Sequence, residues 1–258
     1  VDKINVNGVV LAFVRRGSGP PLVLMHGNEA DHSMFDALVD RLSHDFTVYA
    51  YDQRDCGLTE NPAAPYRLAD LGDDAAALID GLGLGRAHVY GSSLGGLVAQ
   101  SLAARHPDRI ERLVLGSTWP AGLQPIDFNP QTLRRLSALS ADPAVNASQI
   151  AQLFFPASFV RERPAIVSLF RPNGRSQEMR SRRGAVLREP EMVDLSRFPR
   201  PVLVLSGKND EIIPSSVTIA IADQVSQAEI VELEGIGHIP AIQDPDRVAR
   251  ILAGFLLH

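Results

Sequence analysis

With one cysteine, Cys56, the chain can form no intrachain disulfide and no cysteine-rich metal site, which fits a reducing compartment. No His, Cys, Asp and Glu cluster with metal-ligand spacing stands out, and the glycine fingerprint of a nicotinamide or flavin enzyme is missing. Cofactors are therefore expected to be none. Positive charge is not in excess, since the formal net charge is −5, which argues against nucleic acid or a membrane surface as an electrostatic partner. No apolar run approaches the roughly 18 residues of a membrane-spanning helix. Val1-Asp2-Lys3-Ile4-Asn5 has no signal-peptide character, so the expected location is cytoplasmic, although a chain starting without Met leaves a removed leader open. Internal repeats and low-complexity tracts are absent as well.

What is present is an ordinary globular composition, 45% hydrophobic and 21% charged over 258 residues. Val9–Val14 is rich in β-branched and aromatic residues and is followed by the turn signal Gly17-Ser18-Gly19-Pro20-Pro21. Short, wholly apolar runs recur at Leu22–Met25, Val48–Tyr51, Ala87–Tyr90, Leu113–Leu115 and Val202–Leu205, the form of strands buried on both faces. Helical patterns alternate with them over Met34–Leu42, Leu68–Leu82, Leu94–Arg105 and Pro245–Leu257. Strand alternating with helix implies an α/β fold with a mainly parallel sheet covered on both faces.

The alternation fails between Thr118 and Phe198, where prolines and helical spacings accompany Trp119, Phe128, Phe154, Phe155, Phe159 and Phe170. This stretch is expected to be a mostly helical insertion above the sheet. It carries Arg161, Arg163, Arg171, Arg175, Arg180, Arg182, Arg183 and Arg188 against only Glu162 and Glu178. Such a run is either a solvated helix face or a source of one or two arginines for an anionic substrate group.

Chemistry centres on Val89-Tyr90-Gly91-Ser92-Ser93-Leu94-Gly95-Gly96, a strand running through a tight turn into a helix. In the pattern G-x-S-x-G, Gly91 and Gly95 flank Ser93, the arrangement that presents a serine on a strained strand-to-helix turn. Ser92 fails the test because its flanking positions are Tyr90 and Leu94. A serine nucleophile needs a base, and the base an orienting acid, on loops at the carboxyl ends of later strands. Asp210 lies in the turn after Val202–Leu205, and His238 lies on a glycine-flanked loop after Glu229–Leu233. The chain order serine, acid, histidine matches one of the three known triad orders. Glu211 and Glu234 are the nearest rival acids. Acyl transfer also needs two backbone N–H donors for the oxyanion, and Leu94, after the nucleophile, and Asn28, beside Gly27, are the candidates. His26 reads as a structural hydrogen-bonder rather than a second base.

Together, His26-Gly27-Asn28, the segment Asp52–Thr59, Gly91–Gly96, Gly207–Asp210 with Pro214, and Gly237-His238 resemble the α/β-hydrolase superfamily across nearly the whole chain. Asp55 stands where that family's D-x-R-G-x-G segment most often has glycine, a variant similar to the aclacinomycin methylesterase-like branch. Pro65–Leu68 and Arg105–Ile110 are similar to 3-oxoadipate enol-lactonases and related esterases. The resemblance implies an eight-stranded sheet, a core domain of residues 1–117 and 199–258, and a helical cap at 118–198. It also implies a triad of Ser93, Asp210 and His238 acting on a small-molecule ester or lactone, with no metal. A haloalkane dehalogenase would need aspartate in place of Ser93. Amide hydrolysis, acyl transfer or perhydrolysis on the same triad, and a ligand receptor on a hydrolase fold, are the other readings; the oligomeric state is not legible.

Overall fold

A computed structural model describes residues 1–172 and 174–258. Eight strands form one sheet: β1 (Asp2–Val6), β2 (Val9–Arg16), β3 (Pro21–Met25), β4 (Thr47–Tyr51), β5 (Ala87–Ser92), β6 (Ile110–Gly116), β7 (Val202–Gly207) and β8 (Ala228–Leu233). Their spatial order is β1-β2-β4-β3-β5-β6-β7-β8. β1 pairs with β2, and β2 with β4, antiparallel; all remaining pairs are parallel. β1 goes beyond the sequence expectation. It is an edge strand with little buried side-chain surface, so it lacks the apolar run that marks the central strands.

The central strands are apolar throughout because both sheet faces are covered, and successive side chains point to opposite faces. Val23 and Met25 of β3 join one core with Val89, Leu113, Leu115 and Val204. Leu22 and Leu24 join the other with Tyr90, Val114, Leu203 and Leu205. Helices α1 (Asp36–Leu42), α2 (Leu68–Gly81) and α3 (Leu94–Arg105) follow β3, β4 and β5. α2 and α3 supply Leu71, Leu78, Val98 and Leu102 to the first core, whereas α1 supplies Leu38 and Leu42 to the second.

Between β6 and β7 run α4 (Pro125–Phe128), α5 (Pro130–Leu139), α6 (Pro143–Phe154), α7 (Ala157–Glu162) and α8 (Gln177–Arg188). No strand interrupts them among the described residues. α9 (Ser215–Ile219), α10 (Pro240–Gln243) and α11 (Pro245–Leu256) complete the fold, with α11 packing Val248, Leu252 and Phe255 into the second core.

The chain leaves β3 for β4 on one side and returns to place β5 on the other. Loops after the two strands flanking such a reversal diverge above the sheet and leave a crevice at its carboxyl edge. Here these loops carry Gly27–Asn28 and Ser93.

Candidate active site

Ser93 sits between β5 and α3 with φ 56° and ψ −121°, a left-handed conformation that costs a non-glycine residue about 1–3 kcal/mol. The turn is possible because its neighbours are bare. A Cβ on Gly91 would lie 2.3 Å from the Gly95 carbonyl oxygen, and one on Gly95 would lie 2.0 Å from the Met25 oxygen. The Ser93 backbone is held by its N–H donating to Gly116 O at 3.0 Å and by the Thr118 hydroxyl donating to its carbonyl at 2.8 Å. α3 begins at Leu94, so the Leu94 N–H has no partner within the helix and stands beside the serine at the positive end of the helix dipole.

The three residues predicted from scattered loops meet. Ser93 Oγ lies 3.1 Å from His238 Nε2, and His238 Nδ1 lies 2.8 Å from Asp210 Oδ2. Asp210 Oδ1 accepts the Ile212 and Ile213 N–H groups at 2.9 and 2.8 Å, so both carboxylate oxygens are engaged and point one way only. This network assigns the imidazole proton to Nδ1, which donates to Asp210 and leaves Nε2 to accept from Ser93. His238 is held from three sides. Its N–H donates to Phe154 O at 2.8 Å, its ring meets the Phe154 ring edge-on at 5.4 Å, and Gly237 lets the backbones approach. Of the rival acids, Glu211 is exposed, and Glu234 pairs with Lys208 at 2.9 Å.

Gly27 flanks the serine, since a Cβ there would be 3.4 Å from Ser93 Cβ and 3.8 Å from Oγ. His26 is fully buried and structural. Its Nδ1–H donates to Gly27 O at 2.8 Å, and its Nε2 accepts the Gln53 N–H at 3.1 Å. Burial, seconded by the positive Arg183, pushes its pKa well below the ordinary histidine value, so it stays neutral.

The arginine run does something the sequence did not show. Arg183 is completely buried and donates to four oxygens of the core. These are Asn28 O at 2.7 Å, Gly27 O and Gln53 Oε1 at 3.1 Å each, and Arg54 O at 3.3 Å. Arg175 donates to Asn28 O and Ala30 O and pairs with Glu29, which Arg180 also reaches. Arg182 grips Asp55 with two bonds of 2.9 and 2.7 Å. Three of these side chains, Arg175, Arg182 and Arg183, are largely buried against the core rather than forming a solvated face. They bind the α8 region to the core because the loops beneath offer carbonyls and carboxylates. Asp55 itself has φ 59°, the backbone region that favours glycine, which explains why glycine is the common residue there. Asn129, before α5, was also missed; its amide donates to Glu211 O at 2.8 Å and Ile212 O at 3.0 Å on the acid loop.

Among the described residues one group could offer a cation three ligand atoms: Asp31, His32 and Asp52. Each is already spent on local bonds, Asp31 on Ser33 and Asp52 on His32 and Leu58. No described helix is long and apolar enough to cross a membrane.

A family model described as alpha/beta hydrolase fold matches residues 20–245. The chain is 30% identical over 254 residues to the 2-hydroxymuconate semialdehyde hydrolase of Pseudomonas sp. (strain CF600), spanning 93% of this chain and 88% of that one. It is 27% identical over 277 residues to the 2-(acetamidomethylene)succinate hydrolase of Mesorhizobium japonicum, spanning 98% and 94%. The crystal structure of the enol-lactonase from Burkholderia xenovorans LB400 superposes with a TM-score of 0.85 at 27% identity, covering 100% of both chains.

Proposed function

We propose, for a chain that belongs to the α/β hydrolase fold family, hydrolysis of a small carboxylic ester or lactone through an acyl-enzyme on Ser93. The observation that carries this reading is the unbroken relay from Ser93 Oγ to His238 at 3.1 Å and on to Asp210 at 2.8 Å, on a turn of positive φ. His238 Nε2 takes the hydroxyl proton as Ser93 Oγ bonds to the carbonyl carbon. Asp210 stabilises the imidazolium, and the N–H groups of Asn28 and Leu94 receive the oxyanion, each worth about 3–4 kcal/mol where it is fully aligned. Collapse breaks the C–O bond, and His238 returns the proton to the leaving oxygen. Water, deprotonated by the same histidine, then attacks the acyl group and frees Ser93. Residues 118–198 act as a cap over this site. The lactonase likeness and the hydrolase relatives support the reaction class.

A second reading follows the 30% identity to the semialdehyde hydrolase: the substrate would be a semialdehyde rather than an ester or lactone. One experiment separates the outcomes. Wild type and Ser93→Ala are assayed on short esters, lactones and 2-hydroxymuconate semialdehyde, and Ser93 is mapped after fluorophosphonate labelling. Ester or lactone turnover that falls by about 10³ or more in the variant, with label on Ser93, is expected. Turnover of the semialdehyde alone would favour the second reading, and an active Ser93→Ala would refute both uses of the serine.

A further inference from the structure

We infer that Arg183 is the positioning residue of the oxyanion hole, clamping the Gly27–Asn28 peptide from behind so that the Asn28 N–H is aimed at Ser93. The inference rests on the serine-hydrolase reading above. A peptide group is planar and trans, so its C=O and N–H point in opposite directions. The Gly27 oxygen is fixed by two donors, His26 Nδ1 at 2.8 Å and Arg183 Nη2 at 3.1 Å. Fixing that oxygen turns the Asn28 N–H of the same plane away from both. Gly27, whose Cβ direction points to within 3.8 Å of Ser93 Oγ, puts this peptide beside the serine. Among the described residues no group accepts from that N–H. Donors bound to the carbonyl also polarise the peptide and make its N–H a stronger donor.

The Asn28 carbonyl is taken by Arg183 Nε at 2.7 Å, so one planar guanidinium bridges two successive carbonyls of the loop, a fork geometry that a lysine ammonium does not reproduce. All four acceptors of Arg183 are uncharged, and no described carboxylate pairs with it. A buried cation without an anion is costly, and here it lies behind the peptide where negative charge develops during acyl transfer. Arg182, its neighbour on α8, supplies the control: it spends its guanidinium on Asp55 and makes no bond to the 26–30 loop.

The test compares Arg183→Met, Arg183→Lys and Arg182→Gln in the full chain with wild type and Ser93→Ala, using a short p-nitrophenyl ester and a trifluoromethyl ketone inhibitor. Arg183→Met is expected to lower kcat by about 10–100-fold with KM within about threefold, since a misdirected donor loses part of the 10²–10³ that a deleted one costs. Inhibitor affinity should fall by the same factor, and the pH profile of kcat/KM should not move. Arg183→Lys should recover only part of the loss, and it also serves if the methionine variant fails to fold. Arg182→Gln should keep kcat within about threefold while lowering Tm. A folded Arg183→Met or Arg183→Lys with wild-type kcat and inhibitor affinity overturns the inference, as does an equal kcat loss in Arg182→Gln. An active Ser93→Ala would instead bring down the serine reading itself.

Discussion

Asp210→Asn is the smallest change that should silence the site, because the buried carboxylate faces donors on both sides. Oδ1 accepts two backbone N–H groups, from Ile212 and Ile213, and Oδ2 accepts His238 Nδ1–H. An asparagine has one acceptor oxygen and one donor amide. If the oxygen stays on the two backbone amides, the NH₂ faces His238 Nδ1, which must then accept. The imidazole proton moves to Nε2, and the histidine can no longer take the proton of Ser93. If the amide flips, the tautomer is right, but the NH₂ meets two backbone donors, leaving both unsatisfied at about 1–3 kcal/mol each. The first arrangement is cheaper, so the variant should fold with the wrong tautomer. A loss of about 10⁴ in kcat follows, equivalent to about 5.5 kcal/mol in the barrier. Steady-state ester hydrolysis and the rate of fluorophosphonate labelling should fall together, with KM and circular dichroism little changed. Retention of more than about a tenth of wild-type kcat would refute the role of Asp210, since the cheaper asparagine orientation cannot supply the relay.

Three further substitutions probe the scaffold. Gly95→Ala would place a Cβ 2.0 Å from Met25 O and 2.7 Å from His26 O, so it should cost more than about 4 kcal/mol, read as loss of soluble folded protein. Gly254→Ala in α11 meets nothing within 4 Å and should instead raise stability by up to about 1 kcal/mol in urea unfolding. Asp55→Asn should lower stability at pH 7 by about 2 kcal/mol, by breaking a largely buried ion pair while tolerating the positive φ. Burial alone would raise the Asp55 pKa, but hydrogen bonds from Arg182, Tyr66 and Asn61 outweigh it and hold the carboxyl below its usual range. A depressed carboxyl stabilises the fold above its unfolded pKa of about 3.9 and loses that contribution as pH falls through the folded value. The gap between wild type and variant should therefore be full at neutral pH and narrow below about pH 4; a constant gap would show that charge is not its source.

The meeting of Ser93, Asp210 and His238 was legible in the sequence because each residue is announced locally. Ser93 has its flanking glycines, and Asp210 and His238 each follow an apolar strand by a few residues. The same holds for α3, whose observed span, Leu94–Arg105, matches the apolar pattern between Ser93 and Pro107. Arg183 had no such announcement. Within a run of arginines its composition reads as solvated surface, and its burial comes from carbonyls more than 100 residues away. Asp55 lies between these cases: sequence flagged the departure from glycine, but only φ 59° and Arg182 give the reason. Asn129 is of the Arg183 kind, an ordinary polar residue whose partners are the backbone oxygens of Glu211 and Ile212.

The contacts of Arg183, Asn129 and Phe154 bear on how such a protein could be recombined. One inserted segment touches the loop of Gly27–Asn28, the loop of Asp210 and the loop of His238, each through a main-chain oxygen or N–H. Main-chain groups are the same in every sequence, so the receiving side accepts any segment that brings donors and acceptors to the right places. The donating side is demanding. A transplanted segment that matched the apolar contacts but lacked an arginine at the Arg183 position would dock and still leave the recipient's machinery unset. Exchange of the segment to change substrate preference therefore has to carry these three anchors across, leaving the surfaces between them free to vary.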